Sequence, residues 1–112
     1  MSQVTTHVLD TSKGRPAEGI AVSMYRHLQD GWDIIAQGKT NADGRVADLL
    51  LKDVLLPAGI YKMRFETAVY FSASQTKTFY PAVEIIFEIN SPEHYHVPLL
   101  LNPFGYSTYR GS

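Results

Sequence analysis

The chain has 112 residues, a formal net charge of −1, 45% hydrophobic and 19% charged residues, and no cysteine. That length suits one hydrophobic core in a single domain spanning residues 1–112, and the composition is that of a globular protein, not of a disordered segment. A near-neutral charge gives no pull toward nucleic acid or anionic membrane, no apolar run is long enough to span a bilayer, and the missing thiols exclude disulfides and thiolate chemistry.

Met1-Ser2-Gln3-Val4 leads directly into patterned sequence without the basic and apolar regions of a secretory leader, so the expected compartment is the cytoplasm unless a leader has been removed. Short segments rich in β-branched and aromatic residues then alternate with Gly, Pro, Asn and Asp, the spacing of an all-β sandwich. Val4 to Asp10 is the first expected strand. Ser12-Lys13-Gly14-Arg15-Pro16 turns the chain, and Ile20 to His27 follows with Ile20, Val22 and Met24 on one face. Gln29-Asp30-Gly31 is a hairpin signal, with Trp32 to Lys39 as the returning strand. Asn41-Ala42-Asp43-Gly44 is a second turn, expected to deliver Arg45 onto a short strand carrying Val46. Asp53 to Gly59 connects to a half-buried strand from Ile60 to Phe65, in which Tyr61, Met63 and Phe65 alternate with Lys62 and Arg64.

Between Glu66 and Lys77 the alternation is lost, and Val69, Phe71 and Ser72 fit one short helix. Phe79-Tyr80-Pro81 ends it. Val83 to Ile89 is again a strand, with Val83, Ile85, Phe87 and Ile89 toward the core and Glu84 and Glu88 away. After the turn at Asn90-Ser91-Pro92, the segments His94 to Leu101 and Gly105 to Tyr109 close the sequence as two strands joined through Asn102-Pro103-Phe104. No internal repeat or low-complexity tract is present.

Chemistry concentrates on two of these strands. On the first, Thr5, His7 and Leu9 share one face, opposite Val4, Thr6 and Val8. On the penultimate strand Tyr95, Val97, Leu99 and Leu101 form an apolar face, leaving His94, His96, Pro98 and Leu100 opposite. Two histidines and a ladder-breaking proline mark that second face as one that meets something besides the sheet's own core. Any single histidine is ordinarily a solvated or hydrogen-bonded residue. A metal set of His94 and His96 with His7 as third ligand is a weaker alternative, because no further ligand motif of known spacing accompanies it. Arg45 alone is a solvent-facing turn residue, and Tyr109 and Ser112 alone are a frayed end.

The run His7-Val8-Leu9-Asp10-Thr11-Ser12-Lys13-Gly14-Arg15-Pro16-Ala17, continued by Ile20 and Val22, resembles the first signature of the transthyretin family. Tyr95-His96-Val97-Pro98, Leu101 and Pro103-Phe104-Gly105-Tyr106-Ser107 resemble the second, with Asn102 departing from the small or hydroxyl residue usual there. The Tyr109-Arg110-Gly111-Ser112 ending resembles that of the family's enzymatic branch, the 5-hydroxyisourate hydrolases. The hormone-carrier branch typically has Lys in place of His7, Thr in place of His96, and lacks this ending. The resemblance covers about Thr5 to Ser112.

It implies an eight-stranded, two-sheet transthyretin-like sandwich with one short helix, assembled as a homotetramer whose central channel holds the sites. It also implies His7, Arg45, His96 and Ser112 as catalytic residues, Tyr109, Arg110 and Gly111 as substrate-binding residues, and a purine-derived small molecule as substrate, with no metal or cofactor. The implied reaction is hydrolytic opening of 5-hydroxyisourate to a ureidoimidazoline. Such chemistry needs an activated water, a stabilised carbonyl oxygen and a proton for the leaving nitrogen, jobs suited to two imidazoles and a guanidinium. Two other readings fit less of the sequence. A transthyretin-like carrier of a small aromatic ligand leaves His7 and His96 without a purpose, and an immunoglobulin-like interaction domain leaves the terminal tetrapeptide unexplained.

Overall fold

A computed structural model describes residues 2–112. Eight strands and one helix follow in the order β1 (Val4–Asp10), β2 (Arg15–Pro16), β3 (Ala21–Leu28), β4 (Gly31–Lys39), β5 (Gly59–Phe65), α1 (Thr67–Ser72), β6 (Val83–Ile89), β7 (Tyr95–Asn102) and β8 (Gly105–Thr108). They form two four-stranded sheets, β2-β1-β7-β8 and β4-β3-β5-β6. This is the expected all-β, two-sheet sandwich with one short helix.

The two-residue period of burial builds the core. Val4, Thr6, Val8 and Asp10 of β1 turn inward, as do Tyr95, Val97, Leu99 and Leu101 of β7. The facing sheet supplies Val22 and Met24 from β3, Tyr61, Met63 and Phe65 from β5, and Val83, Ile85 and Ile89 from β6. Each large side chain fully removed from water contributes about 1.5–3 kcal/mol. Helix α1 buries Thr67 and Phe71, four residues apart on one face.

Three local features depart from the sequence expectation. Arg45 and Val46 form no strand; one antiparallel bridge joins Arg45 to His7. Arg15–Pro16, expected as part of a turn, pairs with Leu9 and Asp10 as a short edge strand. Pro98 keeps the outward face that the alternation gives it, yet it is buried there. Proline is tolerated inside β7 because the β7–β8 pairing runs only from Leu99↔Thr108 to Asn102↔Gly105, and the Pro98 carbonyl accepts a hydrogen bond from the Thr108 hydroxyl at 2.6 Å.

The pairing that matters most for the site is the parallel one between β1 and β7, running from Val4↔Tyr95 to Asp10↔Leu101. It sets Thr5 beside His96 and His7 beside Pro98 on the outer face of the sheet.

The turn after β1 is held by Asp10, which is fully buried. Its carboxylate accepts hydrogen bonds from the Ser12 and Lys13 backbone N–H groups, the Ser12 hydroxyl and the Tyr70 hydroxyl. Burial acts to raise the Asp10 pKa, but the hydrogen bonds outweigh it and leave the pKa below the usual carboxylate value. Burial and the same carboxylate push the Tyr70 phenol up to about 12.

Candidate active site

Arg45 reaches the outer face through a turn whose geometry is closely specified. The Asn41 side-chain oxygen accepts hydrogen bonds from the backbone N–H groups of Asp43 and Arg45, an Asx-type turn. Gly44 then takes φ +75°, and its carbonyl accepts the Val8 N–H at 2.8 Å. A side chain at Gly44 would run into the Val8 carbonyl oxygen, so only glycine allows this approach. Arg45 is thereby laid against the edge of β1 opposite His7, and antiparallel partners project from the same face.

The last residues lie along β7. The Gly111 N–H donates to the His96 carbonyl at 2.9 Å in an isolated antiparallel bridge. Gly111 abuts the ring itself: a Cβ built there would lie 2.5 Å from His96 Cδ2. On the other side of the ring, Nδ1 is 2.8 Å from the Thr5 hydroxyl, which is also 2.8 Å from Nε2 of His94. The His94 and His96 rings are nearly parallel, at 20° with centroids 6.2 Å apart.

These groups meet at a concavity of about 640 Å³. Arg45, His96, Tyr109, Gly111 and Ser112 line it, together with Thr5, Asn41, Asp48 and His94. His7 does not line it; it stands on the same sheet face two residues from Thr5. Arg110 is turned away. Its guanidinium donates to Glu93 at 2.6 Å and lies 4.5 Å above the Tyr95 ring centroid, which ties the terminal segment to the start of β7. Sequence reasoning assigned Thr5 no role and His94 only a place in the metal set; the register Thr5↔His96 and the Thr5 hydroxyl's contact with His94 bring both to the His96 ring.

The electrostatics favour a neutral imidazole. Burial, with the charges of Arg45, His94 and His7 nearby, holds His96 below the ordinary histidine value. A partly enclosed neutral imidazole beside a permanent cation is equipped to take a proton from water while the guanidinium faces an anionic oxygen. Among the described residues no three His, Asp or Glu side chains gather so as to hold one metal ion, so His7, His94 and His96 do not form the metal set considered from sequence. No helix among the described residues is long and apolar enough to cross a membrane.

The chain is similar to known proteins in both sequence and fold. The chain is 45% identical over 112 residues to a probable 5-hydroxyisourate hydrolase of Caenorhabditis elegans, covering 99% of this chain and 82% of that protein. Among solved structures, Klebsiella pneumoniae 5-hydroxyisourate hydrolase superposes with a TM-score of 0.84 at 39% identity, covering 97% of this chain and 92% of the other. Sea bream transthyretin in complex with thyroxine gives a TM-score of 0.90 at 33% identity, with 98% and 95% covered. Of these two, the transthyretin is the better match in shape and the hydrolase in sequence, so backbone shape does not separate them. The model of the HIUase/Transthyretin family matches residues 4–111, and the chain belongs to that family.

Proposed function

We propose that this chain hydrolyses 5-hydroxyisourate, opening its six-membered ring at an acyl–nitrogen bond. The observation that carries the reading is the convergence of His96, Arg45 and the terminal Tyr109, Gly111 and Ser112 on one concavity. The relatives named as 5-hydroxyisourate hydrolases support it, including that of Salmonella typhimurium at 41% identity over 110 residues.

In this reading water attacks the ring carbonyl directly. His96 takes a proton from water through Nε2, since Nδ1 is engaged by Thr5. The Arg45 guanidinium, charged at all working pH values, faces the developing oxyanion. His7, on the same face beside Arg45, shares the proton work and serves the departing nitrogen. Ser112 and Tyr109 line the wall against the planar ring, and Arg110 holds the terminal segment in place through Glu93 and Tyr95.

The site belongs, in the same proposal, to a homotetramer built as a dimer of dimers. Strands β6 and β8 each end their sheet, and Ile86 and Tyr106 on them are 61% and 41% exposed. Open edges with apolar side chains pair readily, and a closed symmetric assembly covers them. Light scattering at micromolar concentration tests this, with a monomer as the contrary result.

The test of function is ultraviolet monitoring of freshly produced urate oxidase product with and without the protein. Acceleration over spontaneous decay is expected, and each of His7→Ala, Arg45→Ala and His96→Ala lowers turnover about a hundredfold or more. Near wild-type rates in both histidine variants overturn the assignment. Binding of an aromatic ligand without any acceleration instead favours the carrier reading.

A further inference from the structure

The Thr5 hydroxyl lies 2.8 Å from a ring nitrogen of each of two histidines, Nε2 of His94 and Nδ1 of His96. A hydroxyl has one hydrogen to donate. If it donates to one ring, the other ring must bring its own N–H to the Thr5 oxygen. Two neutral arrangements spend the Thr5 hydrogen on one of these contacts. In one, His96 Nδ1–H donates to Thr5 and Thr5 donates to His94 Nε2, which leaves His96 Nε2 bare. In the other, His94 Nε2–H donates to Thr5 and Thr5 donates to His96 Nδ1, which places the His96 proton on Nε2. A third arrangement has both rings donate N–H to the two lone pairs of the Thr5 oxygen, with the Thr5 hydrogen turned elsewhere; two of the three carry the His96 proton on Nδ1, and only donation from Thr5 to His96 places it on Nε2.

The backbone makes this contact durable. Thr5 sits opposite His96 in the parallel β1–β7 register, and the neighbouring Tyr95 N–H donates to the Gln3 carbonyl at 2.8 Å. His94 and His96 are two residues apart, and their near-parallel rings offer both nitrogens to one hydroxyl. Gly111 closes the Cδ2 edge of His96, so the ring is held on two sides.

We propose that Thr5 and His94 are positioning residues that fix the tautomer of His96, holding its proton on Nδ1 and leaving Nε2 free to accept a proton. This rests on the hydrolase reading above for its purpose, since a base at Nε2 is useful only if water is to be activated there. The logic is that of any catalytic base oriented by a third group, with a hydroxyl and a second imidazole in place of a carboxylate. When His96 takes a proton at Nε2, the resulting imidazolium keeps its Nδ1–H on Thr5, and the Thr5 hydrogen remains on His94. No bond in the chain has to reverse.

The test is ring ¹⁵N NMR of the intact protein, which reads each histidine's tautomer directly, at a pH well above the ordinary histidine value. In the wild type, His96 is expected to carry its proton on Nδ1. Thr5→Val keeps the shape but removes the hydroxyl, and the His96 signals are expected to move toward a mixture of tautomers. His94→Phe keeps a flat ring and removes the acceptor. The Thr5 hydrogen is then free to turn to His96 Nδ1, and the Nε2–H form of His96 is expected to gain population. Thr5→Ser should restore the wild-type spectrum. In parallel, kcat is expected to fall by about tenfold or more in Thr5→Val and His94→Phe with KM unchanged. A His96 tautomer that is the same in wild type, Thr5→Val and His94→Phe overturns the proposal. Because the spectra need no substrate, a wild type that fails to turn over 5-hydroxyisourate removes the hydrolase reading while the spectra still decide the tautomer coupling.

Discussion

Gly111 offers the sharpest single perturbation of the proposed site. Adding one methyl group there sets a carbon 2.5 Å from His96 Cδ2, 3.2 Å from Cγ and 3.4 Å from Cβ. Ordinary carbon contacts begin near ~3.5 Å, so the ring or the terminal segment must move by about 1 Å. The ring is braced by Thr5 on its other side, and the movement pulls Nδ1 off that hydroxyl or lifts the terminus from β7. A displacement of about 1 Å at a reacting group costs on the order of a hundredfold in rate, or about 2.7 kcal/mol of transition-state stabilisation. The structural cost is smaller, since what is at risk is one backbone hydrogen bond of about 1 kcal/mol at the end of the chain. Gly111→Ala is therefore expected to lower kcat/KM for fresh 5-hydroxyisourate by about a hundredfold while Tm falls by no more than roughly 8 °C. Turnover at the wild-type rate in this variant refutes the claim that the packing of the terminal segment sets the His96 ring.

Other predictions follow from the turn geometry and the titrating groups. Gly44→Ala places a methyl group against the Val8 carbonyl at φ +75°, and urea unfolding should show a loss of about 1–3 kcal/mol, with Arg45 activity lost in whatever protein folds. Asp10→Ala strips four donors of their shared acceptor in a buried site, and the same measurement should show a loss of about 2–4 kcal/mol. His96 followed by its ring-proton NMR signals should titrate below the ordinary histidine value, and Arg45→Met should move that titration upward. The sign for stability follows: between the ordinary value and the lowered one the unfolded chain binds more protons at this residue, so its contribution weakens as pH falls through that window. The acid limb of the wild-type kcat/KM profile should lie below the ordinary histidine value for the same reason.

Much of this was legible in the sequence because strands announce themselves through a two-residue period. The alternation in Ile60 to Phe65 and in Val83 to Ile89 predicts which side chains are buried, and the structure agrees within a residue at each end. The same period set the face of His7 on the first strand and that of His96 on the penultimate one, and the family signatures singled both out. What a local pattern does not contain is pairing. Arg45 looks like a strand residue from its neighbours, yet its placement comes from Gly44 lying against Val8, a contact across 36 residues. The Thr5–His94–His96 contact depends on the register of two strands some ninety residues apart, and no motif encodes it. Arg110 points to Glu93 and Tyr95 because adjacent residues of an extended segment face opposite ways, so the tetrapeptide does not act as one block.

The parallel union of β1 with β7 has a consequence for how the molecule is made. During synthesis the first strand leaves the ribosome with only the two residues of β2 and the Gly44–Arg45 turn to pair with, and it waits for nearly the entire remaining chain before its main neighbour exists. The β3, β4, β5 and β6 sheet, joined by antiparallel contacts between nearer segments, is free to form in the meantime. A nascent polypeptide stalled before residue 95 therefore holds half a sandwich and no pocket. Any catalytic signal from a translation reaction reports only chains extended through Ser112.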